Sequence, residues 1–243
     1  MTISNVLIFG GSSPIALGIA DGLKTTDKKP IIATRNIERF RDKVKSGDKY
    51  KVVEIDLHLA DIAVNKVREL FVTEEISAII FAHRYLDFPE VLQNRFQVEL
   101  ITPLLIVDEF VRLEKNYPRS VVFLTSPLAR TVQSKQPVGY HMSKSAMTTL
   151  SKYYAVKYGG SNIRFNCVSP GAYFEKERSK NFYEENPLLK SDINSQIPMN
   201  RFGEVSDVSG AVNYLLSETS SYVNGVVLEV DGGLTNVDQS SLI

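Results

Sequence analysis

The 243-residue chain has no tryptophan, one cysteine, three histidines and no surplus of either charge, with 28 Lys+Arg against 28 Asp+Glu. Each shortage excludes something. Cys167 alone cannot form an internal disulfide, and without Cys/His clusters at ligand spacing no metal site is expected. Zero net charge supplies no field for gripping nucleic acid or an anionic membrane, so neither is an expected partner. No apolar run approaches the roughly 18–20 residues that span a bilayer. The opening from Met1 to Gly10 has no basic n-region and no small-residue cleavage site, so no secretory signal is expected and the expected location is cytoplasmic. What is left is a chain with 43% hydrophobic residues, long enough for one α/β domain or two small ones with a substantial core.

What the chain does have is alternation. Short runs rich in Val, Ile, Leu and Phe predict strands near 3–9, 30–34, 50–55, 77–82, 119–125, 162–168 and 225–230. Amphipathic stretches between them predict helices near 14–25, 36–46, 59–73, 90–115, 138–159 and 205–217, with a kink or break where Pro103 falls inside the fourth. Strand–helix alternation implies right-handed βαβ units, hence an α/β fold with a doubly wound, seven-stranded parallel sheet and helices on both faces. No linker or repeat divides residues 1–243, which read as one domain. The charged stretch 172–200, bounded by Pro170-Gly171 and Pro198, reads as a partly helical substrate lid.

The first strand runs into Gly10, Gly11, Ser12, Ser13, Pro14, Ile15, Ala16, Leu17 and Gly18. A glycine turn between strand and helix lets backbone approach a pyrophosphate, which then sits against the positive helix end. Read alone, the segment is equally a tight turn with no ligand, since Pro14 and Ala16 stand where the usual pattern has glycine. The second strand ends at Thr34-Arg35-Asn36, with no acid to hold ribose hydroxyls and an arginine suited to a 2′-phosphate. That favours NADP(H) over NAD(H). Asp56, before Leu57 at the end of the third strand, could bond an adenine amino group or cap the next helix.

Tyr140 and Lys144 lie four apart in a helical pattern, so phenol and ammonium share a face. A fixed cation nearby favours phenolate, which general acid–base chemistry at neutral pH requires. Ser126 closes the fifth strand at the sheet's carboxyl edge, fourteen positions earlier, so that both hydroxyls can converge on one substrate oxygen. With these residues in this order, the chain resembles the short-chain dehydrogenase/reductase family, single-domain type, over essentially its whole length. Arg164 to Gly171, Arg201 to Val208, Ser221 to Gly225 and Val230 to Gly233 carry the likeness further.

The resemblance implies a Rossmann-like dinucleotide-binding fold and hydride transfer between NADP(H) and a carbonyl or alcohol. It makes Tyr140 the acid/base, Ser126 the partner of the same oxygen, and Lys144 both the tuner of Tyr140 and a holder of the nicotinamide ribose. It assigns Gly11, Ser12, Ser13, Ile15, Arg35, Asp56, Leu57, Ala82, Pro170 and Gly171 to the cofactor, and implies a homodimer or homotetramer. Three departures stand out: Pro14 and Ala16; Phe81-Ala82-His83-Arg84 in place of the Asn-Asn-Ala-Gly usual in the family; and Glu99 where many members place a relay asparagine. His83, Arg84 and Arg130 fall just beyond predicted strand ends, where they could meet an anionic group or stand as solvated loop charges. With the polar lid they favour a sugar, polyol or phosphorylated metabolite. A 3-oxoacyl thioester reductase, and a non-catalytic dinucleotide-binding sensor or scaffold, are the alternatives. His141 is expected to point away from the site, and Cys167 to pack in the sixth strand.

Overall fold

The structure is a computed structural model that describes residues 4–41, 50–87, 89–171 and 182–238. All seven predicted strands form: β1 Ser4–Phe9, β2 Lys28–Thr34, β3 Lys51–Glu54, β4 Ile76–Phe81, β5 Arg119–Leu124, β6 Ile163–Pro170 and β7 Val227–Val230. They make one sheet in the order β3-β2-β1-β4-β5-β6-β7, with every pairing parallel. Strand order reverses between β1 and β4, which opens a crevice at the carboxyl ends of those strands, the place where such sheets bind ligands.

Both faces of the central strands are covered, which is why β4 and β5 read as apolar runs; both are buried at all six positions. Alternate residues supply the two cores. Leu7, Phe9, Ile79, Phe81 and Phe123 pack against α3 (Ala60–Thr73), α5 (Thr102–Arg112) and α6 (Val138–Tyr158). Val6, Ile8, Ile80 and Val122 pack against α1 (Pro14–Leu23) and the helix Val205–Leu216. Phe9, Phe81 and Phe123 stack at 5.1 Å across three strands. Each such contact is worth about 0.5–1.5 kcal/mol beyond its buried area.

The fourth predicted helix is broken, one turn before its proline. α4 (Leu92–Phe96) passes into a π turn, Gln97–Ile101, before α5 begins at Thr102. Pro103 has no N–H for the carbonyl of Glu99, and its ring crowds that oxygen, so the preceding turn widens by a residue. The second helix is seen as α2, Ile37–Arg41; the rest of its predicted span lies outside the described residues.

The family-like segments prove to be ties between elements. Asn224 accepts from the Phe165 N–H (2.8 Å) and donates to the Ala155 carbonyl (3.0 Å), joining β6 to α6. Asn166 bonds Val223 and Val226 on the approach to β7. Glu204 and Asp207 form a capping box that starts the helix Val205–Leu216, with Arg201 forked onto Asp207. Of the expected lid, 172–181 lies outside the described residues. The remainder contains α7, Pro187–Gln196, whose Ile193 packs with Ile197 and Phe202. It is less polar outward than its composition suggests, because Phe182, Leu188, Leu189 and Met199 are exposed. The helix that follows it, Val205–Leu216, is α8.

Gly18 lets α1 approach α8 closely: a Cβ there would lie 2.0 Å from the Val205 Cγ1. Gly18→Ala is therefore expected to lower stability by about 1–3 kcal/mol. Gly210→Ala, in α8 with nothing within 4 Å of its Cβ, is expected to raise it by up to about 1 kcal/mol. Urea midpoints check both, and midpoints that move the same way contradict this packing.

Candidate active site

The crevice is built first by β1. Gly10 has φ +95°, and a Cβ there would lie 2.6 Å from the backbone nitrogen of His83, so only glycine suits this turn. A Cβ on Gly11 would meet Ile32 at 2.1 Å. The N–H groups of Gly10 and Gly11 both bond the Ala33 carbonyl (3.2 Å), and that of Ser13 bonds Gly10 (2.8 Å), so the turn is held by its own backbone. Ser13 is the extended residue before α1 and Pro14 fills the first helical position, where a missing N–H costs nothing. Ser12 continues the turn, and Ile15 leans on the core between the sheet and the helices α1 and α8. The substitutions at Pro14 and Ala16 thus leave a regular strand–turn–helix; Ala16 is fully buried.

At the ends of β2 and β3 the residues form a chain of charges. Arg35 pairs with Asp87 at 3.3 Å, Asp87 lies 3.5 Å from His58 Nε2, and His58 Nδ1 lies 2.8 Å from Asp56. Burial raises the Asp56 carboxyl, but the N–H and ring of His58, with Arg35 beyond, outweigh it and hold the group below its ordinary value. Leu57 is in the core, and its carbonyl accepts from Thr102 at 2.7 Å. Sequence reasoning missed His58 and Asp87. The first could have been found by its place two residues after Asp56, whereas nothing local signals the second.

Ser126 follows the end of β5 and caps a short 3₁₀ turn, Pro127–Ala129, its Oγ accepting from the Leu128 N–H at 3.2 Å. Ser145 of α6 ties that turn down through the Ala129 carbonyl (2.6 Å). Lys144 is 3% exposed and donates to the Leu124 carbonyl at 3.1 Å, two residues before Ser126. Its Nζ lies 5.7 Å from the ring centroid of half-buried Tyr140. The strand end, the ammonium and the phenol ring are thereby brought together at the carboxyl edge. His141 points away, as expected: its ring accepts from the Gln133 N–H and meets the Pro137 carbonyl, both at 3.1 Å, stapling the preceding loop. Cys167 is buried in β6, and burial pushes its thiol up to about 11.

Glu99, in the π turn, is 0% exposed. It accepts from the Tyr85 N–H (2.7 Å), from Arg95 (2.9 Å) and from the Ser143 hydroxyl. Burial raises its carboxyl, but Lys144, Ser143, Tyr85 and Arg95 together hold it below the usual range. Arg95, also buried, is shared with Glu90. The i,i+4 spacing of Arg95 and Glu99 was the available signal for a network that sequence reasoning did not find.

His83, Arg84 and Arg130 do not act together, which corrects the expectation of a joint anion site. His83 turns inward, its Nε2 2.9 Å from the Val98 carbonyl, and burial pushes the imidazole down to about 4. Arg130 is neutralised by Glu229. Arg84 lies over the Tyr140 ring, its Cζ 4.4 Å from the centroid. Ala82 is buried with its N–H on the Phe9 carbonyl (3.0 Å). Pro170 ends β6 and the Gly171 N–H bonds Val230 (2.9 Å); the backbone that follows lies outside the described residues. Among the described residues, no three His, Cys, Asp or Glu side chains group to hold a metal, and no helix is long and apolar enough to cross a membrane.

The family model described as "Enoyl-(Acyl carrier protein) reductase" matches residues 11–235. The chain belongs to the short-chain dehydrogenase/reductase family. Among curated proteins, it is similar to glucose 1-dehydrogenase of Gluconobacter oxydans, 31% identical over 121 residues, covering 50% of this chain and 45% of that protein. It is also similar to 2-dehydro-3-deoxy-D-gluconate 5-dehydrogenase of Bacillus subtilis, 26% identical over 239 residues, covering 93% and 92%. The chain spans about half the length of the first curated relatives it matches. A gluconate 5-dehydrogenase from Burkholderia cenocepacia, solved in complex with NADP and tartrate, shares the family fold at TM-score 0.79 and 22% identity, covering 98% of this chain and 97% of that one. Thermoplasma acidophilum aldohexose dehydrogenase does so at TM-score 0.79 and 21% identity, covering 97% and 95%.

Removing Glu99's carboxylate leaves Arg95 and Ser143 without an acceptor they share, so Glu99→Ala is expected to cost about 3–5 kcal/mol. His83 titrates at 6.5 when unperturbed and about 4 here, so folding stability is full above pH 6.5 and declines as pH falls toward 4. The decline amounts to about 3 kcal/mol. Glu99, held below its ordinary value, adds a loss at still lower pH. Urea titrations across pH check this; a His83→Phe variant that keeps the wild-type slope contradicts it.

Proposed function

We propose that this protein is an NADP(H)-dependent oxidoreductase that moves hydride between nicotinamide and the carbonyl or alcohol of a small polar substrate, a sugar, polyol or related metabolite. The observation that carries this reading is the convergence of Tyr140, Lys144 and the Ser126 strand end at the carboxyl edge of the sheet. Support for the substrate class comes from the names of the relatives, which include dehydrogenases of glucose, arabinitol and a deoxygluconate.

The residues present fit a dinucleotide. At Gly10 and Gly11 a Cβ would strike His83 and Ile32, so these glycines keep the strand-to-helix turn tight with α1 beginning beside it, the arrangement that sets a pyrophosphate against a helix N-terminus. We assign Gly11, Ser12, Ser13 and Ile15 to the pyrophosphate end, Asp56 and Leu57 to adenine, Arg35 to a 2′-phosphate, and Ala82, Lys144, Pro170 and Gly171 to the nicotinamide end. When bound, NADPH supplies the hydride. The chain's own part is then to orient and to move a proton. In reduction, the Tyr140 hydroxyl gives its proton to the substrate oxygen, the Ser126 hydroxyl hydrogen-bonds the same oxygen, and Lys144 holds its charge beside the phenol. In oxidation the proton runs the other way. Residues 1–243 act as one unit in this reading, as a homodimer or homotetramer, with exposed Ile101, Leu105, Tyr153 and Val156 on the neighbouring helical faces as the apolar contact surface.

A second reading, a 3-oxoacyl thioester reductase, draws on one observation, the apolar side chains of Phe182, Leu188, Leu189 and Met199 exposed on the segment expected to be the substrate lid. A panel of keto sugars and acyl thioesters separates the two.

Tyr140→Phe is expected to abolish turnover while leaving NADPH binding within about twofold, because the phenyl ring keeps the packing. Turnover that survives the change removes the role assigned to Tyr140. NADPH is expected to bind at least about tenfold tighter than NADH, and Asp87→Asn, which releases Arg35 from its carboxylate, to widen that margin. Nicotinamide fluorescence reads both, undisturbed by tryptophan because the chain has none. Equal or tighter NADH binding refutes the assignment of Arg35.

A further inference from the structure

Among the described residues, the arginines at or near the carboxyl edge of the sheet are almost all paired with carboxylates. Arg35 pairs with Asp87, Arg95 with Glu90 and Glu99, and Arg130 with Glu229. Arg84 differs. It is exposed, no carboxylate among the described residues pairs with it, and its one hydrogen bond is to a neutral group, the Gln136 side-chain oxygen at 3.1 Å. It leaves β4 at the point where the strand order reverses, beside the turn at Gly10. Its guanidinium lies 4.4 Å from the centre of the Tyr140 ring, held from one side by that face and from the other by Gln136. Stacking on an aromatic face leaves the edge of the guanidinium, with its paired donors, available to a planar anion.

We infer that Arg84 is the substrate-anion clamp of this site, and that the substrate is a hydroxy or keto acid whose carboxylate lies on the Arg84 edge while its reacting oxygen meets Tyr140. This rests on the function proposed above and narrows its substrate class from polar to acidic. A cation fixed beside the candidate acid/base, at an edge where its neighbours all have counter-charges, is complete only when a ligand brings one. A carboxylate suits it better than a hydroxyl, because it accepts two parallel N–H bonds from the planar fork. A lysine at this position offers the charge without the fork.

The test uses two four-carbon probes that differ only at their ends: tartrate, with carboxylates, and threitol, with hydroxymethyl groups. Each is titrated calorimetrically into the whole protein, with and without NADP+. Arg84 is already positioned by Tyr140 and Gln136, so a preference for tartrate of about tenfold or more is expected in both states. Arg84→Gln is expected to erase the preference, Arg84→Lys to keep part of it, and Arg130→Gln, whose cation already has Glu229, to leave it unchanged. The inference is overturned if wild type shows no preference, or if Arg84→Gln retains it. It is overturned equally if Arg84→Gln weakens NADP+ binding and spares tartrate, for then the anion at Arg84 is a phosphate of the cofactor. Failure of the oxidoreductase reading looks different: no NADP+ binding and no turnover, with the cofactor-free titration still deciding Arg84.

Discussion

A carboxylate with no exposure to water must be surrounded by donors, and around Glu99 those donors come from three separate pieces of chain. The Tyr85 N–H belongs to the exit from β4, Arg95 to α4, and Ser143 to α6 between Tyr140 and Lys144. The positive charge of Lys144 acts on the same group. Burying one negative charge therefore sets the distance between the crevice wall and the helix that carries the phenol. Pro103 makes this possible, because it widens the turn in which Glu99 sits. A carboxylate where many family members place an asparagine is the centre of a fully bonded network, and its charge gives the site a reason to keep Arg95 inside.

The same bookkeeping of charge explains the rest of the carboxyl edge. The chain's balance of 28 and 28 is realised locally, since most cations at this edge meet a carboxylate from a distant segment. Asp87 on Arg35 keeps the place proposed for a 2′-phosphate occupied by a weaker counter-charge; as a half-exposed pair it is worth at most about 1 kcal/mol, small enough for a phosphate to displace. Among the described residues, Arg84 has no such counter-charge. The two ends of the crevice thus differ in kind, one cation being masked until the ligand arrives and the other standing ready beside Tyr140.

The fold was legible in the sequence because parallel strands covered on both faces must be continuously apolar, and the seven runs around Leu7, Ile32, Val53, Ile80, Val122, Phe165 and Leu228 stand out between polar turns. Tyr140 with Lys144 was legible for the same kind of reason, since helical spacing places them on one face. What could not be read were pairings across elements. His83 and Arg84 are neighbours in an extended segment, so one points into the core and the other to the crevice, and no local pattern says which. Arg130 meets Glu229, and Arg35 meets Asp87, through the order of strands in the sheet. Glu99 could be seen as a departure from the family, but its partners depend on a π turn that the periodicity alone does not reveal.

Isotope transfer tests most directly the proposal that this constellation is a working hydride-transfer site. The protein is incubated with NADPH deuterated at the nicotinamide C4 and a panel of keto sugars and keto acids, and the products are examined by mass spectrometry and NMR. A single deuterium on the new carbinol carbon of one stereoisomer, matched one for one by NADP+, is the expected result. NADPH that binds and is never oxidised by any member of the panel, with no label in any product, would contradict it.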